Sequence, residues 1–121
     1  MTYTKEQIIE KALELANMVS QTDEVSFFKK AEAQINEHEK VQSLIAEIKK
    51  HQKEAVNLQH YRKHEALRLV EEKIDNLMNE VDDIPLVIEF KQSQTEVNDL
   101  LQLIASTISD TVTSKITNPN Q

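Results

Sequence analysis

Two histidines, His60 and His64, stand four residues apart in a chain of 121 residues. On one helix this spacing would place both imidazoles on the same face, where they could bind a metal ion. His51 would be a third ligand if the chain folded back near residue 60. The sequence contains no HExxH motif, so a third ligand would have to come from folding alone. We therefore favour the simpler interpretation, in which these are solvated polar residues near a turn.

Other catalytic chemistry has little support in the residue types. The 21 carboxylates make neighbouring pairs expected by chance, and Glu71-Glu72 and Asp82-Asp83 fit a solvated helix face and a turn. No Ser lies in a nucleophile elbow, and the absence of Gly argues against P-loop and Rossmann nucleotide sites. The absence of Cys excludes disulfides, thiolate catalysis and Cys-ligated clusters within this chain. We predict a protein that is not an enzyme and that holds no cofactor or metal of its own.

The charge distribution is more informative than these candidates. Six basic residues, here called the basic tip, lie in one window against only Glu54 and Glu65: Lys49, Lys50, Lys53, Arg62, Lys63 and Arg68. Six positive charges and two negative ones give the window +4, so the rest of a chain of net charge −7 carries −11. A basic tip on an acidic body suits docking to RNA or to an acidic protein surface. Solubilising charges on a helix face are the alternative, and both interpretations stay open.

The elements that position these residues are helical throughout. Leu, Ala, Glu, Lys and Gln, all good helix formers, are abundant. Thr4 and Gln7 form a capping box, and the helix that follows should run to about Ser20. It carries an apolar stripe of Ile8, Ile9, Ala12, Leu13, Ala16 and Val19. Ser20-Gln21-Thr22-Asp23 is the next cap signal, and the second, short helix that follows should end near Asn36.

The longest helical pattern runs from Glu39 to Asp82 without Gly or Pro. The apolar face of its first half comprises Val41, Leu44, Ile45, Ile48, Gln52, Ala55 and Val56. Its second half steps by three and four residues through Leu67, Val70, Ile74, Leu77, Val81 and Ile84, as in helices packed at a shallow angle. Residues 57–63 lose the stripe, so we predict a turn and an antiparallel helical hairpin. One continuous rod is the alternative.

Pro85 predicts a break followed by a restart, with Leu86, Val87 and Phe90 in a short segment. A last amphipathic helix then carries a broad apolar stripe that needs a partner to cover it. The residues assigned to self-association or partner association are Val97, Leu100, Leu101, Ile104 and Ile108. Residues 117–121 are expected to form a frayed tail.

The sequence thus predicts an all-α, single domain over residues 1–121. We expect a helical bundle with a central long antiparallel hairpin, flanked by shorter N-terminal helices and a C-terminal amphipathic helix. No signal peptide or membrane span is recognisable, and the cytoplasm is the expected location. Two functions remain: a protein–protein adaptor that uses the last helix, and a direct RNA binder that uses the basic tip.

Several long blocks resemble the YlbF/YmcA family, and the similarity extends from residue 4 to about 116. The blocks are residues 27–36 (FFKKAEAQIN), 55–58 (AVNL), 63–67 (KHEAL), 93–94 (SQ) and 96–103 (EVNDLLQL). Their order and length make this resemblance more specific than a short motif.

The resemblance implies a small helical regulator without enzymatic activity. Proteins of the YmcA type assemble with YlbF-like and YaaT-like proteins into a complex. The apolar stripe of the last helix could serve a homodimer or a hetero-oligomer, and both stay open. That complex acts with the endoribonuclease RNase Y in the maturation and turnover of particular mRNAs, and it is tied to biofilm formation, competence and sporulation. The family therefore favours the adaptor function, with the basic tip in a secondary role facing RNA or RNase Y.

The cysteine content departs from the family pattern. The family complex is associated with iron–sulfur clusters, and some members of the YmcA type carry a C-terminal extension with cysteines. This sequence has no Cys, so no cluster ligand carries over to any position here. Either partner proteins supply the ligands, or this version works without a cluster, or the sequence is shortened.

Overall fold

A computed structural model describes residues 2–117 of the chain. Within this range the structure contains five α-helices and no strand. They are α1 (Lys5–Ser20), α2 (Asp23–Glu37), α3 (Glu39–His60), α4 (His64–Asp82) and α5 (Pro85–Thr117). The all-α prediction is confirmed. The predicted frayed tail includes Thr117, the last residue of α5, and otherwise lies outside the described residues.

The first helix begins at the predicted capping box. The Gln7 backbone N–H donates to Thr4 Oγ1 at 3.2 Å, and the Thr4 backbone N–H donates to Gln7 Oε1 at 2.9 Å. Each bond satisfies a donor that has no partner within the helix, which stabilises the first turn. The helix ends at Ser20, as predicted, and the Thr22 hydroxyl caps α2 by accepting from the Val25 backbone N–H.

Helices α3 and α4 form an antiparallel hairpin, so the continuous rod is wrong. They are joined by Tyr61, Arg62 and Lys63, and they pack against each other along their length. The Lys40 ammonium, at the start of α3, lies 4.0 Å from the Glu80 carboxylate near the end of α4. Arg62 turns the chain in the left-handed region with φ 56°, where a residue with a Cβ is disfavoured.

The seam of the hairpin, meaning the residues of α3 and α4 that pack against the other helix, was predicted well in α4 and less well in α3. All six residues predicted for the α4 seam are at least partly buried. In α3, Gln52 and Val56 are exposed, and His51 and Leu58 lie in the seam instead. The α3 seam is formed by Val41, Leu44, Ile48, His51, Ala55 and Leu58, which step by three and four residues as α4 does. The alternation of three-residue and four-residue steps keeps the apolar stripes of α3 and α4 facing each other. It places His51 on the packed face of α3 and leaves Gln52 exposed, although both are polar.

The last helix is longer than predicted. The expected short segment around Leu86, Val87 and Phe90 is continuous with the last helix, and together they form the 33-residue α5. The polar run of residues 91–96 contains neither Gly nor Pro, so nothing in its backbone chemistry interrupts the helix. None of the helices described over residues 2–117 is long and apolar enough to cross a membrane.

The chain groups into two compact units. Residues 30–91 form the hairpin unit, and residues 1–29 with 92–121 form the terminal unit. Among residues 2–117, every buried apolar side chain belongs to the hairpin unit; these are Ala31, Val41, Leu44, Val70 and Val87. The prediction of one domain over residues 1–121 stays a prediction.

Candidate functional site

The apolar stripe predicted on the last helix is divided by the structure into two parts. Val97, Leu100 and Ile104 are half-buried. Leu101 is 48% exposed and Ile108 is 53% exposed. The exposed part therefore has apolar area left for a further contact.

The exposed part continues beyond the predicted residues. Val112 and Ile116 follow Ile108 at steps of four residues, so they lie on the same face of α5, and both are more than half exposed. Leu101, Ile108, Val112 and Ile116 are called the α5 stripe below. Leu103 is 64% exposed but lies on a different face of the helix.

Helix α1 carries a second exposed apolar surface, which was not assigned a function from the sequence. None of its residues is buried, and Ile8, Ile9 and Leu13, the α1 stripe, are each more than half exposed. Ile9 and Leu13 are four residues apart and form one line along the helix. The signal was present, because adjacent Ile8 and Ile9 make the apolar arc wider than one packing contact covers. Both stripes belong to the terminal unit.

The basic tip lies in the hairpin unit, and the structure separates Arg68 from its other members. One Arg68 guanidinium nitrogen lies 2.8 Å from a Glu65 carboxylate oxygen, and the other lies 3.7 Å from Glu72. The hydrogen bond to Glu65, with a further contribution from the Glu72 charge, raises the pKa of Arg68 above its usual value. Arg68 is therefore paired on α4 and is less available to a ligand.

The other five cations make no ion pair within residues 2–117: Lys49, Lys50, Lys53, Arg62 and Lys63. Lys49 and Lys53 lie on one face of α3 together with Asn57 and His60, by their spacing. Lys50 borders this face, and the three lysines with Asn57 line an open groove along the helix. Glu54 also lines the groove, and its carboxylate lies 3.2 Å from His51 Nδ1.

The turn between α3 and α4 presents aromatic side chains beside these cations. Tyr61 is 71% exposed, and its ring lies edge-on to the His60 imidazole with the centroids 5.2 Å apart. Arg62 follows in the left-handed conformation, and Lys63 precedes α4. The end of the hairpin therefore combines positive charge with an accessible aromatic face.

The histidine arrangement differs from the one considered for a metal site. His60 is the last residue of α3 and His64 is the first of α4, so they do not share a helical face. His51 lies beside Glu54, and His38 caps α3 by accepting from the Val41 backbone N–H at 3.2 Å. Over residues 2–117, no three His, Asp or Glu side chains are grouped so that they could hold a metal ion. An iron–sulfur cluster bound through thiolates finds no ligand in this chain, because it has no Cys.

Comparison with known proteins gives three similarities. Residues 8–113 match the family model described as "Control of competence regulator ComK, YlbF/YmcA". The chain is 58% identical to the YmcA protein of Bacillus subtilis (strain 168) over 114 residues, which cover 94% of this chain and 80% of that protein. It also resembles a chain in the crystal structure of Bacillus subtilis RicA in complex with RicF, with a TM-score of 0.85 and 19% identity. That match covers 93% of this chain and 99% of the other.

Proposed function

The chain belongs to the YlbF/YmcA family, and on this premise we propose that it is a non-enzymatic adaptor subunit. In this proposal it binds a YlbF-type protein through the α5 stripe and the α1 stripe. The assembled complex, with a YaaT-type protein, then directs RNase Y to particular mRNAs. The observation that carries the proposal is the exposure of the α5 stripe on a regular helix.

The amount of exposed apolar surface favours association. Fully burying a Leu or Ile side chain contributes about 1.5–3 kcal/mol, so covering the exposed half of each contributes about 1 kcal/mol. The four residues of the α5 stripe would then supply about 4 kcal/mol, which only balances the lowest estimates of the cost of association. The α1 stripe adds a comparable amount, so we assign both stripes to the partner interface.

The nature of the partner rests on the relatives. RicA of Bacillus subtilis, whose complex contains a chain with this fold, was crystallised together with RicF, so a protein partner is established for that protein. We extend this mode of action to the present chain and place the complex in the cytoplasm, where mRNA is processed. By the same family resemblance, its loss would affect competence, biofilm formation and sporulation.

The interface is tested by measuring binding of the purified chain to a purified YlbF-type protein by titration calorimetry. Leu101→Asp with Ile108→Asp places two charges in the N-terminal half of the α5 stripe. We expect at least 100-fold weaker binding, because each buried unpaired carboxylate costs several kcal/mol. Helicity measured by circular dichroism should be unchanged, since both side chains are about half exposed.

A matched control introduces the same two charges elsewhere. Leu103→Asp with Val56→Asp changes two apolar residues that are at least as exposed but lie off the α5 stripe. This variant should bind like the parent chain. An equal loss of binding affinity in both variants, or unchanged binding of the Leu101/Ile108 variant, would refute the proposed interface.

The link to RNase Y is tested separately by co-purification from a native lysate. The parent chain should bring down RNase Y together with a YlbF-type protein, and the Leu101/Ile108 variant should bring down neither. If the YlbF-type protein co-purifies without RNase Y, the adaptor interface stands and the RNase Y assignment is wrong.

A further inference from the structure

The solvent face of α3 and the turn that follows it form a second surface, independent of the proposed adaptor interface. We propose that this surface binds a single-stranded polynucleotide, with Lys49, Lys50 and Lys53 on the phosphates and Tyr61 stacked on a base. The site belongs entirely to the hairpin unit, and it does not depend on the α5 stripe.

The first argument is that the positive charge is available. Lys49, Lys50 and Lys53 make no ion pair within residues 2–117, although the chain carries 21 carboxylates and a net charge of −7. Glu54, the acidic residue that lines the groove, lies against His51. Added Asp and Glu favour solubility more than added Lys and Arg, and this chain already carries 21 carboxylates, so solubility gives little reason for a positive face. It attracts a polyanion.

The second argument is that an accessible aromatic ring lies at the end of the cationic face. Tyr61 is 71% exposed, so its ring gains little from packing within the hairpin. Sites for single-stranded nucleic acid combine a basic groove with rings on which bases stack. An acidic polypeptide would use the lysines but would gain little from Tyr61. This difference favours a polynucleotide over an acidic protein surface.

The third argument is the backbone of the turn. Arg62 has φ 56°, a conformation that disfavours any residue with a Cβ and suits Gly. The arginine at this position places a further cation directly after Tyr61, at a cost in stability. Strained positions of this kind are common at binding sites.

The dimensions fit a short segment of one strand. Arg62 follows Lys49 by thirteen positions in the sequence, which gives a surface about 20 Å long at the helical rise of ~1.5 Å per residue. A site of this length accommodates a few nucleotides, at the lower end of known single-strand binding sites.

The proposal is tested with the full chain and a fluorescein-labelled 12-nucleotide oligo(U) RNA, by anisotropy at salt concentrations from 50 to 200 mM. Each phosphate contact to a single strand contributes about −0.7 to the slope of log K against log salt. We expect a slope of about −3 for the parent chain, from phosphate contacts by the three lysines and Arg62. Lys49→Ala, Lys50→Ala and Lys53→Ala together should reduce its magnitude by about 2.

Tyr61→Ala separates stacking from charge. It should weaken binding about ten-fold or more while leaving the salt slope unchanged, because it removes no positive charge. Lys5→Ala, Lys29→Ala and Lys73→Ala together form the matched control, since these exposed lysines make no ion pair within the described residues and lie outside the site. This control should keep the parent slope and affinity to within about two-fold.

Three competitor ligands decide the ligand class. Single-stranded DNA of matching length should compete with the RNA, because the recognised groups are phosphates and bases. Tighter binding to duplex RNA, or poly-glutamate binding as tight as RNA and insensitive to Tyr61→Ala, would overturn the proposal. So would the absence of RNA binding at 50 mM salt, or a loss in the control variant equal to that in the α3 variant. None of these results bears on the α5 stripe, whose test uses a protein ligand.

Discussion

The hairpin unit and the terminal unit carry similar apolar residues, but the hairpin unit buries more of them and the terminal unit leaves more of them exposed. In the hairpin unit, α3 and α4 bury Val41, Leu44 and Val70. In the terminal unit, α1 buries no side chain. Sixteen large apolar side chains are exposed among residues 2–117, and eleven belong to the terminal unit: Tyr3, Ile8, Ile9, Leu13, Met18, Phe27, Leu101, Leu103, Ile108, Val112 and Ile116.

This difference shows that an amphipathic stripe does not by itself specify an internal core. In the hairpin, a turn of three residues returns the chain so that one stripe covers the other. The stripes of α1 and α5 have the same helical spacing, yet they remain exposed. We therefore expect the stability of the free chain to reside in the hairpin unit and association to depend on the terminal unit.

The largest expected effect comes from truncating a side chain in the hairpin core. Leu44→Ala removes a buried side chain between α3 and α4, and it should lower the free energy of unfolding by about 2–4 kcal/mol. Leu13→Ala makes the same chemical change on α1, where the side chain is exposed, and it should change stability by less than about 0.5 kcal/mol. Urea denaturation followed by circular dichroism measures both. Similar losses in the two variants would show that α1 is packed in the free chain, which would contradict the contrast between the units.

A smaller effect is expected from removing a helix cap in each unit. His38→Ala deletes the acceptor for the Val41 backbone N–H at the start of α3. Thr4→Ala deletes the acceptor for the Gln7 backbone N–H at the start of α1. Losing an N-cap typically costs about 1 kcal/mol. His38→Ala should therefore lower the free energy of global unfolding by about that amount.

Thr4→Ala should act locally, because α1 contributes no buried side chain to a core. We expect faster amide hydrogen exchange at residues 8–12, by about five-fold, and an unchanged urea midpoint. A fall in the urea midpoint equal to that of His38→Ala would mean that α1 unfolds together with the hairpin.

The sequence predicted the fold better than the site, for physical reasons. The helices and the hairpin follow from local spacing and caps: Thr4, Gln7 and Pro85 act as predicted, and residues 57–63 contain the turn. The continuity of α5 was missed because the apolar pattern pauses at residues 91–96, although this polar run contains neither Gly nor Pro to end a helix.

The site needed information that no local pattern contains. Spacing identifies which residues can be buried, but whether Ile9 or Leu101 is covered depends on which helices meet. Likewise, no sequence pattern separates Arg68 from Lys49 in the basic tip, because the Arg68 pairing with Glu65 and Glu72 depends on side-chain geometry.

The smallest expected effect returns to the turn that makes the hairpin possible. Arg62→Gly relieves the steric cost of a Cβ at φ 56°, about 1–2 kcal/mol, but the glycine adds freedom to the unfolded chain. The net result should be a gain of about 0.5–1 kcal/mol in the free energy of unfolding, measured by urea denaturation. Arg62→Ala is the control: it removes the same charge and keeps the Cβ, so it should leave stability unchanged. Because the turn belongs to the hairpin unit, the gain should raise the global midpoint without altering amide exchange in α1. If Arg62→Ala stabilised the chain as much as Arg62→Gly, repulsion among the tip cations would be the cause in place of backbone strain.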